Sequence, residues 1–168
     1  MTVALRPVPR TDKPILAAIM QLYLYDSTDH SGDEPDERGL YPYPYFDLYW
    51  TEDGRFPFLI TRDGRIVGLA LVRLLEPGTD PLHHIAEFFV MRPYRGQGVG
   101  RAAAVALFNR FPGRWEVAQL EANTAAQAFW RRVIGDYTGG DYTERWVDDD
   151  EHRGPAQTFR SGPPNGPH

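Results

Sequence analysis

The residues best equipped for chemistry lie in "EFFVMRPYRGQGVGRAAAVALF", Glu87 to Phe108. Here Arg95-Gly96-Gln97-Gly98-Val99-Gly100 joins an apolar run to a helix-forming one. Glycine loses more backbone entropy on ordering than any other residue, so three at one seam need a reason. A strand-to-helix turn aims several backbone N–H groups into one concavity, and the helix dipole adds positive potential there. Phosphate is the usual occupant of such a place. Arg92, Arg95 and Arg101 add charge that pairs with phosphate oxygens. A Cβ at Gly98 or Gly100 would then meet the ligand; the alternative is a tight turn with no ligand. A P-loop would close on Gly-Lys-Ser/Thr, whereas this turn closes on Gly-Val-Gly-Arg. A dinucleotide fingerprint wants glycine where Arg101 stands, and an early position in the domain.

Several elements must position this seam. "TVALRPV" reads as a strand, and Thr11 or Asp12 is placed to cap a helix over "KPILAAIMQLYLYD", with Pro14 in its first turn. Ile15, Ala18, Ile19 and Leu22 recur at helical spacing. Ser27 to Gly39 is polar and reads as a long loop of the kind that is often functional. Tyr45 to Trp50 reads as a short helix. Two strands flank Asp63-Gly64, a strong hairpin signal. A strand from about His83 to Met91 leads into the seam and a helix to Phe111. "WEVAQLEA" is a strand, "NTAAQAFWRRVI" a helix capped near Asn123 or Thr124, and "YTERWV" and "AQTFRS" are two last strands. The order predicts an α/β domain with a mixed sheet. Residues 1–160 are expected to form one domain and the Gly/Pro-rich residues 161–168 a disordered tail.

Composition narrows the function classes. The net charge of −5, with no basic block, argues against nucleic acid as the main partner. No apolar run reaches the roughly 18 residues that cross a bilayer, so no membrane role is expected. The N-terminus lacks a signal-peptide layout, and a cytoplasmic location is expected. With no cysteine there is neither a thiolate metal site nor a cysteine nucleophile, and no metal is expected.

"VMRPYRGQGVGRAAAVALF" resembles motif A of the GNAT superfamily of acyl-CoA-dependent N-acetyltransferases, whose signature is Arg/Gln-x-x-Gly-x-Gly/Ala. Arg95, Gly98 and Gly100 match it. "NTAAQAFW" resembles the family's next motif, where an asparagine opens a helix ending in an aromatic pair. The element order is similar to that fold over about residues 2–160. The stretch from Leu24 to Ile60 resembles a subgroup of predicted acetyltransferases. The resemblance implies a central, mostly antiparallel sheet of six or seven strands with helices on both faces.

It also implies acetyl transfer from acetyl-CoA to a small-molecule or peptide amine by direct attack, and leaves room for a homodimer. The coenzyme would contact Phe89, Val90 and Met91 on the strand, Arg95, Gly96, Gln97, Gly98, Val99, Gly100 and Arg101 at the seam, and Asn123, Phe129 and Trp130. The Val90 N–H would stabilise the oxyanion. An alkylamine is protonated at neutral pH, so a general base helps. Glu87, alone in an apolar strand, is the first candidate and Glu121 the second; His84 acting through a water is a third. For Glu87 the bland alternative is a structural pair with an arginine or a tyrosine hydroxyl. Asn123 either bonds pantetheine or caps its helix. Trp130 stands where the family often has a proton-donating tyrosine, and indole cannot donate; it lies beside pantetheine or in the core. Tyr41, Tyr43, Tyr45, Tyr49 and Trp50 offer aromatic faces to a cationic acceptor, with Asp26, Asp29, Asp33 and Asp47 as counter-charges. A non-catalytic acyl-CoA sensor is the rival reading.

Overall fold

A computed structural model describes residues 1–162. In chain order the elements are β1 (Val3–Pro7), α1 (Lys13–Asp26), α2 (Thr28–Ser31), α3 (Leu48–Thr51), β2 (Arg55–Arg62), β3 (Arg65–Glu76), β4 (Leu82–Val90), α4 (Val99–Arg110), β5 (Gly113–Ala118), α5 (Thr124–Thr138), β6 (Thr143–Asp148) and β7 (Arg153–Ser161). One sheet holds all seven strands in the order β1-β2-β3-β4-β5-β7-β6. β4 and β5 run parallel, while β1–β2, β2–β3, β5–β7 and β6–β7 are antiparallel. The fold is thus the expected mixed α/β class. Among the described residues no helix is long and apolar enough to cross a membrane.

The chain divides into two compact units. The first comprises Met1–Arg73 and Ala86–Gly100; the second comprises Leu74–Ile85 and the chain from Arg101 onward. In the first, Asp63 (φ 50°) and Gly64 (φ 81°) both take the left-handed region that a two-residue hairpin requires, as Asp-Gly predicts. The β2–β3 register slips between Ile60 and Thr61, so that Ile60 faces Gly68 and Thr61 faces Ile66. This is a bulge, which bends its strand. At Gly68 the backbone of β4 comes so near that an added Cβ would sit 2.0 Å from the Phe89 carbonyl oxygen.

Helix α1 has the predicted bounds but a different inward face. Leu16 and Met20 are buried, with Ile19 and Tyr23 packed beside them, against Leu59, Leu69, Leu71 and Phe89. Ile15, Ala18 and Leu22 face outward. Apolar residues occupy nearly every side of α1, so spacing alone could not choose the face. Asp12 makes no side-chain cap; Arg6 Nη2 donates to its Oδ2 at 2.8 Å instead. The loop from Ser27 contains the short helix α2 and a turn in which Asp36 Oδ1 accepts from the amides of Arg38 and Leu40 at 2.8 and 3.0 Å.

In the second unit, Phe108, Trp115, Trp130, Ile134 and Phe159 are buried. Phe108 meets Trp115 and Phe159 edge-on, with centroids 5.2 and 4.8 Å apart. β5 ends at Ala118, earlier than predicted. β7 reaches Ser161, the first residue of the expected tail, whose Oγ accepts from Trp115 Nε1 at 3.0 Å. Residues 163–168 lie outside the described residues.

Candidate active site

Strand β4 and helix α1 build an acidic centre within the first unit. Glu87 is half-buried on β4, three residues before Val90. The Tyr23 hydroxyl, 64 positions away in the chain, donates to Glu87 Oε2. A tyrosine hydroxyl is therefore the partner of Glu87. Loss of hydration raises the Glu87 carboxyl to about 7, against the opposing pull of hydrogen bonds from Tyr23 and Tyr43. A carboxyl in that range is partly ionised at neutral pH and suited to take a proton there.

The surrounding phenols stay protonated, because burial and then the Glu87 charge raise Tyr23, Tyr43 and Tyr49 above the usual phenol range. The buried Tyr49 hydroxyl has no partner in ordinary bonding geometry among the described residues. Tyr43, Glu87 and Arg55 nevertheless lie close enough to act on it. Arg55 covers the Tyr49 ring at 5.4 Å. Tyr23 is not singled out by the sequence reading, although Leu16, Met20 and Tyr23 form one helical stripe that points to its inward face.

The segment before α3 is tied to α1 by Gln21, whose Nε2 donates to the Tyr41 carbonyl at 2.9 Å and whose Oε1 accepts from the Tyr41 amide at 2.8 Å. Tyr45 is 52% exposed and meets Tyr43 edge-on. Two of the expected acceptor features are already in use. Lys13 Nζ pairs with Asp47 at 2.5 Å and lies 5.2 Å over the Trp50 ring, so a residue of the chain holds that aromatic face and that counter-charge. Asp29 and Asp33 are exposed on the loop.

The glycine seam follows β4 and a 3₁₀ turn over Arg92–Tyr94. Gly96 (φ 70°) and Gly98 (φ 83°) are left-handed, which accounts for glycine at both. Among the described residues, a Cβ at Gly96 would meet nothing within 4 Å, and one at Gly98 only Met1 Cε at 3.9 Å. Among them, Gly96 and Gly98 thus face open space, just ahead of a helix start whose first four amides lack intrahelical partners. The residues present fit a diphosphate.

The arginines, however, are occupied. Arg95 donates through Nε to the Val90 carbonyl at 2.7 Å and through Nη2 to Asp26 Oδ2 at 2.7 Å, and its guanidinium lies 5.6 Å over the Phe89 ring. Arg92 Nε donates to Asp26 Oδ1 at 2.9 Å. Burial acts to raise the Asp26 carboxyl, but Arg95 and Arg92 together hold it below the usual carboxylate range. Asp26, expected as an acceptor counter-charge, is bound to the motif's own arginines. Gln97 accepts from Arg62 Nη1 at 2.6 Å and donates to the Pro93 carbonyl at 2.8 Å. Met91 N donates to the Val67 carbonyl at 2.8 Å. Val99 is buried.

Within the second unit, Arg101 pairs with Asp136 at 2.5 Å. Asn123 caps α5, its Oδ1 accepting from the Ala126 amide at 3.1 Å. Trp130 is a core residue, 5% exposed, with Phe129 edge-on against it at 5.0 Å, which is the core placement of the two alternatives. Glu121 lies beyond the end of β5, exposed, with Arg153 Nε 2.9 Å from its Oε2. His84 Nδ1 lies 3.5 Å from Glu116 Oε1.

The model of the Acetyltransferase (GNAT) family matches residues 19–135. No curated protein matches the chain. Among solved structures, an acetyltransferase from Thermus thermophilus is similar with a TM-score of 0.65 at 19% identity, over 95% of this chain and 97% of that one. An aminoglycoside acetyltransferase from an uncultured soil metagenomic sample, in complex with sisomicin, has a TM-score of 0.63 at 17% identity, over 89% of this chain and 95% of its own. AAC(6')-Iy, in complex with the bisubstrate analog CoA-S-monomethyl-acetylneamine, has a TM-score of 0.59 at 15% identity, over 90% and 99%. These likenesses carry the fold, and the family match carries the class of reaction. The chain belongs to the GNAT acetyltransferase family and is an acyltransferase.

Proposed function

We propose that residues 1–160 act as one catalytic domain, in the cytoplasm, that transfers an acetyl group from acetyl-CoA to a primary amine of a small molecule or peptide by direct attack in a ternary complex. Acetyl-CoA supplies an activated thioester. The amides of Gly96 to Gly100 hold its diphosphate, and the backbone of Phe89 to Met91 guides the pantetheine arm. The Val90 N–H donates to the acyl oxygen as negative charge develops on it. Glu87 takes the proton of the attacking amine, and Tyr41, Tyr43 and Tyr45 line the acceptor side, while the expected Tyr49 is a core residue. With a tryptophan in the core at position 130, the departing thiolate takes its proton from water; a thiol near 8.5 is a fair leaving group.

The observation that carries this reading is Glu87, the carboxyl raised to about 7 beside a strand end that leads into an open glycine seam. The test is thiol release from acetyl-CoA across polyamines, amino acids, aminoglycosides and peptides, together with the melting temperature in CoA. Turnover with any amine supports the enzyme. A raised melting temperature with no turnover on the whole panel supports the sensor, and millimolar CoA without effect removes both.

A further inference from the structure

We propose that Tyr23 is a positioning residue of this site, its hydroxyl donating to Glu87 Oε2 so that the carboxylate is held in one orientation and its readiness to accept the acceptor's proton is set. The inference rests on Glu87 being the base. In the proton-transfer step an N–H bond of the acceptor ammonium breaks and an O–H bond forms on Glu87; Tyr23 keeps its own proton throughout.

The geometry supports this role from both sides of the contact. Tyr23 sits on the buried stripe of α1 with Leu16 and Met20, and its ring packs at 5.5 Å, tilted, against Phe89 on β4. The ring is thus fixed by the core while the hydroxyl reaches the acid, and a phenol so held has little freedom to turn away. The groups facing Glu87 are Tyr23 from α1 and Tyr43 and Tyr49 from the segment up to and including α3. Behind them, Asp26 acts on Tyr23 and Arg55 on Tyr49. Tyr23 and Tyr43 are the two donors that favour the charged form of Glu87, and Tyr23 is the stronger influence. Without its hydroxyl, burial is opposed by less, and the carboxyl becomes a weaker acid.

The test follows the Glu87 carboxyl by ¹³C NMR titration of the full chain without ligand, its signal assigned by loss in Glu87→Gln. The wild-type midpoint is expected near 7. In Tyr23→Phe it moves to higher pH, and the acid limb of thiol release from acetyl-CoA, measured with whichever panel amine is turned over, moves with it. Should Tyr23→Phe fail to fold, difluorotyrosine at position 23, a stronger donor of nearly the same shape, moves the midpoint to lower pH. An unmoved midpoint in every folded Tyr23 variant overturns the role of Tyr23, as does a plateau that falls at all pH values with no shift of the limb. Full thiol release by Glu87→Gln at every pH instead removes the base itself, and this inference with it.

Discussion

Arg95 reaches Asp26 through Nη2 at 2.7 Å, so the arginine of the glycine motif is bound to a carboxylate of its own chain. Arg92 holds the other oxygen of the same group. A carboxylate gripped by two guanidiniums resembles in charge and fork geometry the contact that a phosphate would make. Coenzyme A that uses these side chains must displace it. Asp26→Asn is expected to tighten CoA binding by about two- to thirtyfold, because it breaks two ion pairs worth about 0.2–1 kcal/mol each. The dissociation constant from calorimetry checks this; weaker binding would show that Asp26 organises the arginines for the coenzyme.

Glu87 ties stability to pH with a definite sign. Its folded-state value of about 7 lies above the ordinary 4.5. Between those two values the folded protein binds more protons than the unfolded chain, so its stability falls as pH rises. The contribution is fully present below about 4.5 and lost as pH climbs through about 7. Relative to Glu87→Gln, the wild-type protein should therefore lose melting temperature from pH 5 to pH 8. Ionisation of Glu87 thus loosens the fold. Parallel melting curves for the two proteins at both pH values check it, and a constant difference would contradict it.

Gly68 permits the approach of β3 to β4. A methyl there would lie 2.0 Å from the Phe89 carbonyl oxygen, and both partners are backbone. Ordinary overpacking costs about 1–3 kcal/mol, and neither strand here can give way like a flexible side chain. Gly68→Ala should destabilise by about 3 kcal/mol or more, read from urea unfolding. A change under about 1 kcal/mol would mean that the strands separate easily.

Gly98 joins a left-handed backbone to open space. Gly98→Glu should lose CoA binding, because the new side chain brings an anion to the seam. It should also lower stability by about 1–2 kcal/mol for a non-glycine residue in the left-handed region. Thermal unfolding with and without CoA separates the two effects: the variant should melt slightly lower than wild type and ignore the ligand.

The most legible parts of this molecule in its sequence were those with local causes. Asp63-Gly64 specifies its turn by what two adjacent residues can adopt, and the glycine seam and the bounds of α1 are set by neighbours in the chain. Glu87 stood out because a carboxylate in an apolar strand is costly without a purpose. What was not legible depends on distance. Tyr23 meets Glu87 across 64 positions, and an α1 that is apolar on nearly all sides hides which stripe turns inward. Trp130 and Asn123 match their motif by type, and the structure buries the one, with help from neighbours distant in the chain, and makes the other a helix cap.

Tyr23 and Asp26 leave the last turn of α1 three residues apart, one toward the strand acid and the other toward the motif arginines. A single turn of helix thus braces both the strand acid and the motif arginines. If the proposed reaction holds, a substitution in that turn should register in the kinetics of the acyl donor and the amine together, and assigning it to one substrate requires both to be varied.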